Sequence, residues 1–387
     1  MNLQGNVHGS PAAEPGRAVR ILRGAPRLLG GLTVAALIFV VVGEMLARSF
    51  DLVDVLNGYD RQLYMPGPDG DLPYLLRPGV RTRVFGYDVR VNEFGCRGPE
   101  IAAKPPPGVR RVLVLGDSVV FGLGMPENET VAAKLDWMLD GKIPTEVINA
   151  GVQGYDAVAE ARWLEWAGVR LRPSVIVVGV SLNDYDPPSR MNQVGVLTRS
   201  EAGPARSGLA ERSHLFFLLR WLDQYRRGTL YFQLVERLDE KWRSRAQPDD
   251  DARPTGPEAV RLPGESRQSR FYGGVKNLHL TFYRDPDPAR WDRLRTAWAG
   301  MKRLADRDGI ALVVAIFPEG YQFGEPNPDL VPQQRLLDLC AELGIRCIDL
   351  HPAFMAAGGK LFLDPQHPNA RGHSVAALTI ALAIRRK

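Results

Sequence analysis

Short apolar runs alternate with helix-length amphipathic stretches from Arg111 to the end of the chain, and this rhythm sets the fold expectation. Val112–Leu115, Glu146–Asn149, Val175–Val180, Ala311–Phe317 and Arg346–Asp349 read as five buried strands, being short, β-branched and bounded by turn residues. Between and after them, Glu129–Leu139, Ala157–Gly168, Trp291–Arg307, Pro332–Leu343 and Asn369–Ile384 read as helices, with Asn128 as the N-cap of the first. Strands separated by helices imply a parallel sheet covered on both faces. The expected class is therefore α/β, a flavodoxin-like three-layer α/β/α arrangement around a five-stranded parallel sheet.

Upstream the pattern differs. Leu28–Gly43 is uncharged, and admitting Glu44 extends the apolar stretch through Ala47. That approaches the ~20 residues needed to cross a bilayer. We expect a transmembrane helix at 28–48 that stays uncleaved, since the preceding segment is long and no small-x-small cleavage site follows. Residues 1–27, rich in Gly, Pro and Arg, read as a disordered cytoplasmic tail. Residues 51–107 read as an extracytoplasmic lead-in of turns and short strands, including the alternation Tyr87, Val89, Val91 against Asp88, Arg90, Asn92. Lys104-Pro105-Pro106-Pro107-Gly108 closes it, because consecutive prolines block helix and sheet alike. The main domain is expected over 108–387. It is interrupted after the third strand by an insertion at about 187–289, far beyond the usual connection of ~2–6 residues in such units. Part of the insertion reads as helical around His214–Trp242. Gln247–Gln268 reads as a loop, and a lid or a docking surface are both compatible with it.

Charge changes the picture only by its distribution. The net +5 over 387 residues resolves into +3 in residues 1–27 and +3 in Arg385–Lys387, leaving the body close to −1. No basic face points to nucleic acid. Arg17, Arg20, Arg23 and Arg27 precede the apolar segment, so the positive-inside bias keeps the N-terminus in the cytoplasm. The rest of the chain is then expected outside the inner membrane, in the periplasm. Cys96, Cys340 and Cys347 match no zinc spacing, and a Cys340–Cys347 bridge and two reduced thiols are both open. No metal or other cofactor is called for.

The candidate chemistry lies at strand ends. The first strand runs directly into Gly116-Asp117-Ser118, presenting a hydroxyl where open α/β sheets place their sites. The second is followed by Asn149-Ala150-Gly151-Val152-Gln153-Gly154, whose glycines let backbone N–H groups turn toward a ligand. The third is followed by Ser181-Leu182-Asn183-Asp184, and the Asn183 amide can donate to a developing negative charge. Near the C-terminus, Asp364-Pro365-Gln366-His367 supplies an imidazole with a carboxylate three residues before it. Serine, histidine and aspartate are the parts of nucleophilic acyl transfer. Of the other histidines, His351 lacks the Asp-x-x-His relation, and His373 falls in a helix as a packing or capping residue. His214 and His279 show no clear partner, and His8 lies in the tail.

Gly116-Asp117-Ser118, Gly154, Asn183 and Asp364-x-x-His367 resemble blocks I, II, III and V of the SGNH, or GDSL-type, esterases and acylhydrolases. The resemblance spans Arg111 to the C-terminus apart from the insertion. Ser181 stands where the family's third block has glycine. The resemblance implies Ser118 as nucleophile, His367 as general base and Asp364 as the residue that orients it. The Ser118 and Gly154 N–H groups and the Asn183 amide would form the oxyanion hole, with Asp117 satisfying turn amides. An ester or an acylated carbohydrate is the expected substrate. The same residues would serve an O-acyltransferase acting on an exported or cell-wall glycan, and a non-catalytic glycan-binding scaffold is the reading from another class.

Overall fold

The computed structural model describes residues 16–50, 61–84, 86–141, 143–185, 276, 279–323 and 328–385, with short pieces at 190–191, 197–198, 213–216 and 218–219. The expected loop at 247–268, the tail before residue 16 and nearly all of the expected 214–242 helix lie outside these residues.

Helix α1 (Gly16–Ser49) opens earlier than Leu28, inside the stretch expected to be without structure. Arg, Ala and Leu between 17 and 29 are good helix formers and extend the apolar helix backward. Gly30–Ser49, 20 residues of mean hydropathy 2.1, is long and apolar enough to cross a membrane, and Leu32, Leu37, Phe39 and Val41 point away from the rest of the chain. Two hairpins follow, β1 (Tyr64–Pro66) with β2 (Tyr74–Leu76), and β3 (Arg81–Val84) with β4 (Tyr87–Arg90).

The central sheet comprises β5 (Arg110–Gly116), β6 (Thr145–Gly151), β7 (Val175–Val180), β8 (Ala311–Ile316) and β9 (Arg346–Asp349). All are parallel, in the order β6-β5-β7-β8-β9. This is the flavodoxin-like order 2-1-3-4-5, which reverses direction between its first and third strands. The helices are α2 (Ser118–Phe121), α3 (Val131–Leu139), α4 (Ala157–Trp166), α5 (Pro288–Arg307), α6 (Val331–Leu343), α7 (His351–Ala357) and α8 (Ala370–Arg385). Thr130 rather than Asn128 caps α3, its hydroxyl accepting from Ala133 N–H at 3.3 Å. Asn128 is taken up in a preceding 3₁₀ turn, Glu127–Glu129. Helix α5 starts at Pro288, with Asp287 accepting from the Arg290 N–H, so it opens before the expected Trp291.

Strand alternation divides the core in two. Val112, Val114, Val175, Val177, Val313 and Ala315 pack with α3 and α8, whereas Leu113, Leu115, Ile176, Val178, Val314 and Ile316 pack with α4, α5 and α6. Period-two side-chain direction makes each continuous apolar strand serve both layers. The lead-in joins the second layer through Leu63, Tyr64, Tyr74, Leu76, Val89 and Val91. Buried Arg111 fastens its end to the sheet, donating to the Ala102 and Leu171 carbonyls and pairing with Glu146 at 2.7 Å.

Leu113 is fully buried in the inner strand β5, so Leu113→Ala should lower stability by about 2–5 kcal/mol. Urea unfolding should show a lower midpoint at unchanged slope. An unchanged midpoint would contradict this packing.

Candidate active site

The sheet register brings three strand ends together. Gly116 of β5 stands opposite Gly151 of β6 on one side and Gly179 of β7 on the other. The turns carrying Ser118, Gly154 and Asn183 therefore leave the sheet side by side, at the switch point of the topology. Close approach dictates glycine here: a Cβ on Gly151 would lie 2.2 Å from the Phe121 nitrogen. Gly154 adopts φ +75°, which turns its peptide in a way a larger residue resists.

Helix α2 is a single turn held from several directions. Asp117 caps it, its Oδ1 accepting from Val119 N–H at 2.8 Å and from the Ser181 hydroxyl at 3.0 Å. Ser181 thus adds a tie to the turn that carries Ser118. Asn149 donates its amide to the Val120 carbonyl at 3.0 Å and accepts from Gly151 N–H. Buried Arg97, from the lead-in, donates to the carbonyls of Phe121, Gly122 and Met125 at 2.7–2.8 Å, with its guanidinium 4.6 Å from the Phe121 ring centre. Burial lowers the Arg97 pKa to about 10, which leaves it charged at neutral pH.

The fourth and fifth strands bring in the C-terminal segment. After β8, Gly320 N–H donates to the Pro365 carbonyl at 2.6 Å, seating the Asp364–His367 loop against the sheet. The Ser118 hydroxyl and His367 Nε2 are 2.9 Å apart, and His367 Nδ1 lies 2.7 Å from Asp364 Oδ2. Asp364 Oδ1 also accepts from the N–H groups of Gln366 and His367, each at 2.8 Å. Burial alone would raise the Asp364 pKa, but the facing imidazole and these hydrogen bonds outweigh it and hold the carboxyl below its ordinary value. An ionised Asp364 accepts from Nδ1–H, which makes Nε2 the acceptor for the serine proton. Asp117 Oδ2 is a poorer acceptor for that hydroxyl, at 3.4 Å. Half-buried Asn183 sits in a turn closed by Asp184 N–H to the Ser181 carbonyl, while Asp184 Oδ2 accepts from Ser181 N–H.

The remaining histidines separate from the site. His351 is buried and stacked on Phe323, and burial lowers its pKa. His373 is buried in α8 with its pKa pushed down to about 3, by burial first. His279 corrects the expectation of no partner: its Nδ1 is 2.8 Å from buried Glu319 Oε2, beside the Asp364–His367 loop. The backbone N–H of His214 donates to Glu44 at 3.0 Å. Cys340 and Cys347 are free thiols close enough to hydrogen-bond.

A group of acids the strand-end reading missed lies under the oxyanion-side turns. Glu160 is fully buried with neither carboxylate oxygen hydrogen-bonded, and Asp184 Oδ1 is likewise buried without a partner. Burial and the neighbouring carboxylates Asp117 and Asp156 push both well above the ordinary range. Burial also raises Asp156 to about 6. A lone glutamate on a helix carries no sequence signal that separates such burial from solvent exposure.

Folded-state values above the unfolded ones mean that the folded chain holds protons the unfolded chain releases. Stability should therefore fall as pH rises above the ordinary carboxylate range. Glu160→Gln should flatten this slope and stabilise the protein more at pH 8 than at pH 5, as read by urea midpoints. Equal slopes in parent and variant would contradict a neutral buried Glu160.

The GDSL-like lipase/acylhydrolase family model matches residues 114–375. No curated protein matches the chain. Among solved structures, TesA aligns at 12% identity over 71% of this chain and 98% of its own, with a TM-score of 0.39. A catalytic mutant of Axe2, an acetylxylan esterase from Geobacillus stearothermophilus, aligns at 12% identity over 72% and 95%, with a TM-score of 0.37. The psychrotrophic esterase EstA from Pseudoalteromonas sp. aligns at 12% over 72% and 97%, with a TM-score of 0.35.

Proposed function

This chain belongs to the GDSL-like lipase/acylhydrolase family of ester-bond hydrolases, and from that premise we propose that it is a serine esterase working through Ser118, His367 and Asp364. The observation that carries the proposal is the continuous series Ser118 Oγ, His367 Nε2 and Nδ1, Asp364 Oδ2, with separations of 2.9 and 2.7 Å.

In the mechanism, His367 Nε2 takes the proton as Ser118 Oγ attacks the ester carbonyl, forming the C–O bond of a tetrahedral intermediate. Asp364, already ionised, stabilises the imidazolium that results. The intermediate's negative oxygen is received by the N–H groups of Ser118 and Gly154 and the amide of Asn183, in the manner of an oxyanion hole. Collapse expels the alcohol, which takes the proton back from His367. Water, deprotonated by the same imidazole, then releases the acid and frees the serine. Asp117 and Arg97 take no part in proton transfer. They hold the turn on which Ser118 sits.

We place the enzyme at the outer face of the cytoplasmic membrane, with Gly30–Ser49 as an uncleaved span. The four arginines before it support a cytoplasmic N-terminus, and a span that buries almost none of its apolar surface against the rest of the chain supports lipid around it. Facing the envelope, such a site meets acylated exported or wall glycans, and a short-chain acylated carbohydrate is the substrate class we propose.

Ser118→Ala should abolish turnover of p-nitrophenyl acetate and labelling by a serine-directed fluorophosphonate. Asn183→Ala should lower kcat by roughly 10²–10³ while leaving that labelling site in place. Parent-like turnover by the serine variant would overturn the assignment. Acylated sugar rather than free acid, on incubation of p-nitrophenyl acetate with unacylated oligosaccharides, would show transfer instead of hydrolysis.

A further inference from the structure

Glu44 lies within the apolar half of α1, where a carboxylate is costly unless its oxygens are satisfied. It is satisfied from the distant insertion. Its oxygens accept from the Ser213 hydroxyl at 2.8 Å, from His214 N–H at 3.0 Å and from Leu215 N–H at 2.8 Å, and from Arg48 on its own helix at 2.7 Å. Ser213 in turn accepts from Phe216 N–H, so it opens a helical piece whose first N–H groups are capped by a residue of α1. The packing agrees with the hydrogen bonding. A Cβ on Gly43 would meet the Leu215 Cδ atoms at 3.0–3.1 Å, so glycine leaves room for that leucine. Ala47, one turn on and on the same face, is completely buried. The neighbouring positions of α1 are open: Met45, Leu46 and Phe50 are 63%, 49% and 65% exposed. Beyond the clamp the insertion presents Phe216 and Leu219 outward, at 46% and 50%.

We propose that the helical piece of the insertion at 213–216 and 218–219 rests on the bilayer surface, fixed there by Glu44, with Phe216 and Leu219 in contact with lipid. The inference rests on reading Gly30–Ser49 as a membrane span. The bilayer is the occupant because the clamp sits five residues before the end of that span. On either side of the clamp, Met45, Leu46 and Phe50 of the span and Phe216 and Leu219 of the insertion expose apolar surface. Amphipathic elements at this depth bury aromatic and leucine side chains at the headgroup boundary. The anchor is then more than a tether, since it sets the height and orientation at which the insertion meets the membrane.

The test uses the full chain in phospholipid nanodiscs, with a benzophenone amino acid placed singly at Phe39, Phe216, Leu219 or Trp137. Phe39 reports the span, and exposed Trp137 on α3 reports water. Illumination should join lipid to the probes at 216 and 219 several-fold more than at 137, and to a degree comparable with 39. Glu44→Ala should reduce lipid labelling at 216 several-fold, leave it unchanged at 39 and preserve p-nitrophenyl acetate turnover, which also reports folding. Lipid labelling at 39 with only the 137 level at 216 and 219 would overturn the inference alone. So would crosslinking of 216 to a second protein chain. Absence of lipid at 39 would overturn the membrane reading beneath it.

Discussion

The hydrogen bond between the Ser118 hydroxyl and His367 Nε2 joins segments 249 positions apart, and every proposed chemical step passes through it. A net worth of about 0.5–1.5 kcal/mol cannot position two such distant loops. The scaffold must do so. Parallel pairing of β5 with β7 and of β7 with β8 carries the Ser118 turn and the loop after β8 to the same end of the sheet. Gly320 then holds the Pro365 carbonyl, and the Asp364 carboxylate gathers two backbone N–H groups of its own loop before it meets the imidazole. The turn carrying Ser118 is braced independently by Asp117, Asn149 and Arg97.

Burial acts on the carboxyl groups in opposite directions according to what faces them. Asp364 stays ionised because an imidazole and two N–H groups offset its desolvation. Glu160 and Asp184 have no cation facing them that outweighs burial, and adjacent acids reinforce it, so they are held protonated. The acids beneath the Gly154 and Asn183 turns add little negative field where an oxyanion would form.

Much of this was legible in the chain because it depends on local pattern. The buried strands announce themselves as β-branched runs, and parallel topology follows from their alternation with helices. Asp364-x-x-His367 pairs at hydrogen-bond distance because two intervening residues suffice for a tight turn. What escaped depends on partners far apart in sequence. Nothing around Arg97 says that its guanidinium gathers the carbonyls of Phe121, Gly122 and Met125 after Ser118. His279 meets Glu319 only after the insertion returns to the sheet, and the Glu44 clamp joins two stretches that read separately as a membrane segment and an insertion. The misplaced cap of α3 has a local cause: the turn begun by Pro126 consumes Asn128, leaving Thr130 at the helix start.

The proposed mechanism passes through an acyl-enzyme on Ser118, and that species can be weighed directly. The protein is mixed with a p-nitrophenyl ester, quenched in acid within its first turnover, and its intact mass and peptide masses are recorded. The account predicts a gain equal to one acyl group, confined to the peptide containing Ser118 and absent when His367 is replaced by alanine. Turnover with no adduct, or an adduct on another residue, would contradict it.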